Sequence, residues 1–150
     1  MIKALSLAVG LAFTLAAPLA HAEKYRLDVK VVEASKQGNT IDPKVQHLHG
    51  DLSHLGVAFT SYKLVSEADP LVEAKASTEV GLPEGRKLIL SPQGREKDGK
   101  IEMHIEVPGL FNENYSVTNN GRHTVSAGSK GHGSPSESQI FVVITHHVQK

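Results

Sequence analysis

Ile101, Met103, Ile105 and Val107 alternate strictly with Glu102, His104 and Glu106, and this period of two is the strongest constraint on what the chain can become. Successive side chains of an extended strand point to opposite faces. Such a segment is stable where one face meets an apolar layer and the other meets water. The same pattern recurs at Tyr25, Leu27, Val29 and Val31, which alternate with Arg26, Asp28 and Lys30. It recurs again at Val72, Ala74, Ala76, Thr78 and Val80 against Glu73, Lys75 and Glu79. At the C-terminal end Ile140, Val142, Ile144, His146 and Val148 share one face, and Phe141, Val143, Thr145 and His147 the other. Being apolar on both faces through Ile144, this last strand is predicted to be central in its sheet.

The connections carry turn chemistry. Pro83-Glu84-Gly85 breaks the chain before a strand at Arg86–Leu90, and a charged, turn-rich loop is expected from Pro92 to Gly99. Tyr115 and Val117 lead into Asn119-Asn120-Gly121 and a strand returning through His123 and Val125. Asn-Gly favours the positive φ of a type I′ turn, so a β-hairpin is predicted here. Ala127–Ser138, rich in glycine and serine, is expected to be an exposed loop. Val57–Ser66 has strand composition with imperfect alternation, which suggests a bulge. The exception to β-structure is an early segment. Asp42-Pro43 reads as an N-cap followed by proline at the first helical position, and Val45, Leu48, Leu52 and Leu55 follow at spacings of three and four. A helix is predicted from there to about Gly56, weakened by Gly50. Together these elements predict a mainly β fold, an antiparallel β-sandwich of seven or eight strands with one short helix near the N-terminus. A single sheet curled around that helix is the alternative.

Ahead of the β-structure, Lys3, an uncharged apolar run from Ala4 to Ala17, Pro18 and Ala20-His21-Ala22 match a secretory signal peptide. The run is shorter than the roughly 20 residues of a spanning helix. Residues 1–22 are therefore expected to be a leader and 23–150 one β-sandwich-like domain, periplasmic or secreted. The chain has no cysteine, so such a domain must be held by packing rather than by disulfides, and thiolate chemistry is excluded. With 16 Lys and Arg against 16 Asp and Glu, there is no basic excess to attract a nucleic-acid backbone. No later apolar run has membrane length.

Histidine is the enriched reactive type, nine in all, including His21 of the leader. On a regular helix His47, Asp51 and His54 fall at i, i+4 and i+7, so two imidazoles and a carboxylate share one face and could hold zinc or copper. In an irregular segment His47, His49 and His54 would form a different cluster, and simple solvation of that polar face accounts for the same pattern. His146 and His147 point to opposite strand faces and cannot ligate one ion together. Glu102, His104 and Glu106 share a face, as an acid beside an imidazole would, and equally as an exposed charged face would. Neither Ser126-Ala127-Gly128-Ser129 nor Gly131-His132-Gly133-Ser134 has the strand-to-helix context of a nucleophile elbow. No catalytic residues are assigned.

Val32-Glu33-Ala34-Ser35, Ile41-Asp42-Pro43, Phe59-Thr60-Ser61-Tyr62-Lys63-Leu64, and Gly81-Leu82-Pro83-Glu84-Gly85 before Leu88-Ile89-Leu90 together resemble uncharacterised small exported β-rich proteins of Gram-negative bacteria. The resemblance spans about two-thirds of the chain beyond the leader. It implies export and an unbroken domain, and it carries no activity and no site residues. The function expected from these observations is non-enzymatic contact with an envelope or secreted protein, as an accessory or assembly subunit of an envelope system, without a cofactor. A histidine-based divalent-metal protein is the alternative.

Overall fold

The computed structural model describes residues 22–54, 59–129 and 137–150. Within them lie nine strands: β1 (Lys24–Ser35), β2 (Ser61–Ala68), β3 (Leu71–Glu73), β4 (Thr78–Gly81), β5 (Lys87–Arg95), β6 (Ile101–Val107), β7 (Phe111–Val117), β8 (Arg122–Ser126) and β9 (Ser138–Gln149). They form two antiparallel sheets. The first has the order β2-β1-β9-β8, with β3 taking over from β2 along the other end of β1; the second has the order β4-β5-β6-β7. Among the described residues no helix is long and apolar enough to cross a membrane.

The two sheets pack face to face through the alternating positions. Tyr25, Leu27, Val29 and Val31 of β1 and Ile140, Val142 and Ile144 of β9 share one buried cluster with Leu88 and Leu90 of β5 and with Ile101, Met103, Ile105 and Val107 of β6. Removing each such aliphatic side chain from water stabilises the fold by about 1.5–3 kcal/mol. β9 is central, paired to β1 and β8, as its two apolar faces require.

Its second face is covered as well. Val32 and Ala34 of β1 and Phe141 and Val143 of β9 turn outward and meet Val45, Leu48 and Leu52 of the early helical segment, together with Phe59 and Tyr62. That segment is not one α-helix. It is a 3₁₀ stretch (Pro43–Leu48), capped by Asp42 accepting from the Lys44 amide, followed by the short helix α1 (His49–Ser53). Val45, Leu48 and Leu52 are buried as the spacing predicts, while Leu55 and Gly56 lie outside the described residues.

Four expectations need correction. Val72–Val80 is not one strand: β3 belongs to the first sheet and β4 to the second, and Lys75, at φ 68°, turns the chain between them. Parity persists because both strands bury the same face, so periodicity alone could not reveal the break. Asn119-Asn120-Gly121 does not close a hairpin, since β7 and β8 lie in different sheets and the turn is a crossover. The start of the expected loop at Pro92 is strand. β5 continues to Arg95 past a bulge near Gln93, and Pro92 is tolerated because the β4 pairing ends at Leu90, where no ladder hydrogen bond is asked of it. In the expected loop Ala127–Ser138, Ala127 is buried and its amide donates to the Ile140 carbonyl, while residues 130–136 lie outside those described. The suspected bulge does exist, in β2: Leu64 and Ser66 pair with Val32 and Val31, leaving Val65 between them without a partner position on β1.

Candidate functional site

The outer face of the first sheet is divided in two, and the division is written in β1 and β9. Beneath the helical segment the outward side chains are Val32, Ala34, Phe141 and Val143; beyond it, on the same face, they become Arg26, Asp28 and Lys30 on β1 and Thr145 and His147 on β9. Arg26 stands opposite His147 and Asp28 opposite Thr145. Thr145 in turn stands opposite Arg122 of β8. The result is a charged, solvated platform bordered by an apolar cap.

Two open concavities lie on the platform. One, of about 470 Å³, runs from Arg26, Asp28 and Asp69 to the Asn119-Asn120 crossover and the end of β9 at His147. The other, of about 410 Å³, is lined by Asp28, Lys30, Glu67 and Asp69. Lys30 Nζ donates to both carboxylate oxygens of Asp28, at 2.7 and 2.9 Å, and Arg26 Nε stands 3.8 Å from Asp69. The Arg26–Asp69 pair is more than half exposed and contributes little to stability. The polar wall is more firmly fixed. The Val148 amide donates to Asn119 Oδ1 at 2.9 Å, and His147 Nδ1 meets Asn120 Oδ1 at 2.8 Å. Both amide oxygens are thus engaged by β9, which leaves the amino groups of Asn119 and Asn120 as the donors available to a ligand.

The crossover is held from below by His146, which is fully buried. Its Nδ1 lies 2.9 Å from the Gly121 carbonyl and its Nε2 lies 2.7 Å from the Tyr115 hydroxyl. A carbonyl can only accept, so Nδ1 carries the proton of the neutral ring and Nε2 accepts from Tyr115. The main chain adds two more bonds, Asn120 N–H to the His146 carbonyl and His146 N–H to the Gly121 carbonyl. Tyr115 also stacks on His123 of β8, with ring centroids 3.7 Å apart, so its ring joins the two sheets where β7 and β8 run along the same side of the sandwich. Burial pushes His146 down to about 4, with His123 and His147 adding to the effect against the Gly121 hydrogen bond. Burial likewise raises Tyr115 far above the ordinary phenol range and lowers His123. The constellation ties β7, β8, β9 and the crossover together at one point.

The histidine-based metal site is not assembled. His47 sits in the 3₁₀ stretch, Asp51 in α1 and His54 at its C-cap; His47 and His54 are exposed. A 3₁₀ stretch advances three residues per turn, so the 3.6-residue spacing that would align the three does not hold across the segment. Asp51 is instead paired to Arg122, at 3.1 Å. Among the described residues no group of three or more His, Cys, Asp or Glu is placed to hold a metal ion. His104, expected beside Glu102 and Glu106, meets Asn114 of β7 through Nδ1. His146 and His147 do diverge to opposite faces, one buried and one on the platform. His132 and the Gly131–Ser134 stretch lie outside the described residues.

Sequence reasoning missed the platform, although a signal for it exists. In β1 the apolar parity changes after Val31, where Val32 and Ala34 follow Val29 and Val31, and that change marks the edge of the cap. Comparison of the chain with protein-family models, with curated proteins and with solved structures found no match in any of the three.

Proposed function

We propose that the chain is an exported, non-enzymatic β-domain that works by contact with another protein, as an accessory or assembly subunit of an envelope system, and that the platform of Arg26, Asp28, Lys30 and His147 is its contact surface. One observation carries the reading: the outer face of a central strand pair is left charged and open beside a half of the same face that is capped and dry. Its concavities are wide and polar, unlike the enclosed, mostly apolar clefts that bury small substrates. Mixed charges held in fixed register favour partner selection over raw affinity.

Contact through this face is favoured over strand addition at the β2 edge. There, the first half is already occupied by the Thr40–Asp42 segment, with Ile41 bridging to Tyr62, and the remainder carries the Val65 bulge and Glu67, with Pro70 just beyond its end. Bulges, charges and prolines are the features that keep sheet edges from pairing. Cross-linked affinity capture from envelope extract, comparing the wild type with an Arg26→Glu, Lys30→Glu double variant, tests the proposal. A specific partner recovered by the wild type and lost with the charge reversal is expected. Recovery of nothing above background, or equal recovery by a folded double variant, overturns it.

A further inference from the structure

His146 lies beneath the platform wall and is bonded to it. Its own backbone ties Asn120 and Gly121 through two hydrogen bonds, of 2.7 and 3.0 Å, and the next residues of β9 hold the Asn120 and Asn119 side chains. The ring contributes a further bond to the Gly121 carbonyl. A buried titratable group therefore shares one short peptide, Thr118–Gly121, with two residues that line the larger concavity.

We propose that His146 makes the platform acid-responsive: protonation of its buried ring loosens the Thr118–Gly121 crossover and withdraws Asn119 and Asn120 from the concavity wall. In the neutral ring Nε2 accepts the Tyr115 proton. Once Nε2 carries a proton of its own, the Tyr115 oxygen must turn from donor to acceptor, and its hydrogen loses its partner at the part-buried joint between the sheets.

The groups surrounding the ring do not offset the new charge. From β7 it faces the Tyr115 hydroxyl, from β8 His123, from its own strand His147, and from β1 the apolar Leu27, its register partner. From the crossover it faces the Gly121 carbonyl, whose hydrogen bond favours the charged ring but ranks below burial. Glu113 of β7 acts on His123, and no carboxylate is among the groups that shift His146. Opening the crossover to water is the short route to solvating the cation, because the crossover is one turn long and makes its bonds to β9 alone among those that fix Asn119 and Asn120. The effect on partner binding rests on the platform being the contact surface; the coupling itself does not.

The test uses no partner, so its failure is distinct from failure of the contact reading. In the purified, isotope-labelled protein the His146 ring is titrated by NMR from pH 7.5 to pH 3 while amide hydrogen exchange, corrected for intrinsic rates, is followed at Asn120, Val148, Val29 and Val31 with and without low urea. Protection at Asn120 and Val148 is expected to fall roughly ten-fold along the His146 titration through a local opening that low urea does not promote, while Val29 and Val31 at the centre of β1 exchange only through urea-sensitive global unfolding. The same response is expected in His147→Gln, which removes the other imidazole bonded to the crossover. The proposal is overturned if protection at Asn120 and Val148 stays constant while His146 titrates, if those two amides exchange with the same urea dependence as Val29 and Val31, or if the response disappears in His147→Gln.

Discussion

The Tyr115 hydroxyl meets His146 Nε2 at 2.7 Å across the joint between the two sheets, the tyrosine coming from the edge of one and the histidine from the centre of the other. The pair resembles a catalytic dyad in its connectivity and differs from one in its environment. Desolvation holds both groups neutral, and a proton that neither side readily gives up or takes on is a structural proton.

Tyr115→Phe removes this hydroxyl while keeping the ring stacked on His123. The buried Nε2 of His146 is then left without a donor, which costs about 1–3 kcal/mol. Chemical denaturation at pH 7 should show that loss with an unchanged dependence on denaturant, because the surface exposed on unfolding is the same. A variant as stable as the wild type would mean that the hydrogen bond contributes nothing net.

Acid should destabilise the protein, through His146 first. Its folded-state value lies at about 4, below the ordinary 6.5, so the unfolded chain takes up the proton before the folded one does. The stability contributed by keeping the ring neutral is therefore complete above about pH 6.5. It is lost as the pH falls towards 4, and the full loss is at most about 3 kcal/mol. His123, shifted down by its own burial, acts in the same sense. Urea titrations at pH 7, 5.5 and 4.5 should give steadily lower unfolding free energies, and His146→Gln, if it folds, should show a flatter profile. A profile flat from 7 to 4.5 in the wild type would contradict the burial of the ring.

Two glycines should respond to alanine with opposite signs. A Cβ on Gly121 would stand 2.6 Å from Val117 Cγ2 and 2.8 Å from the Thr118 carbonyl, inside the crossover that His146 holds. Backbone cannot give way as a flexible side chain does, so Gly121→Ala should destabilise by about 1–3 kcal/mol. A Cβ on Gly50, in α1, meets nothing within 4 Å, and Gly50→Ala should stabilise by about 0.5–1 kcal/mol by restricting the unfolded chain. Thermal melts of the two variants side by side read both effects.

Local pattern was a good guide wherever burial was one-sided. β6 is where Ile101, Met103, Ile105 and Val107 put it, and β9 is central because Phe141 and Val143 are as apolar as Val142 and Ile144. It failed where the question was which strand pairs with which. Asn119-Asn120-Gly121 has hairpin chemistry, and Asn120 does adopt a φ of 65°, but turn chemistry fixes only the reversal of the chain and not the sheet it re-enters. Gly121 is needed for want of space rather than for positive φ. The joint was illegible for a related reason: Tyr115 and His146 are 31 residues apart, and only the packing of the two sheets brings them together. The metal expectation depended on a regular helix, which Pro43–Leu48 does not form.

The two apolar clusters should differ in what they contribute. Ile105 is fully buried between the sheets, with β5 on one side, β7 on the other and the inner face of the opposite sheet in the same cluster. Leu52 is equally buried, but in the smaller cluster beneath a cap made of one 3₁₀ stretch and a five-residue helix. The transfer free energy lost on truncation to alanine is similar for the two, so the difference lies in how far the surroundings close over the cavity. Two paired sheets cannot settle inward without breaking register, whereas a short cap can. Ile105→Ala should therefore cost about 4 kcal/mol and Leu52→Ala about 2 kcal/mol. Hydrogen exchange separates the mechanisms: Leu52→Ala should deprotect the amides of α1 while leaving β6 protected, and Ile105→Ala should lower protection across both sheets. Equal losses with uniform deprotection would make the cap an integral part of the core, and the boundary between cap and platform would then no longer divide a stable face from a working one.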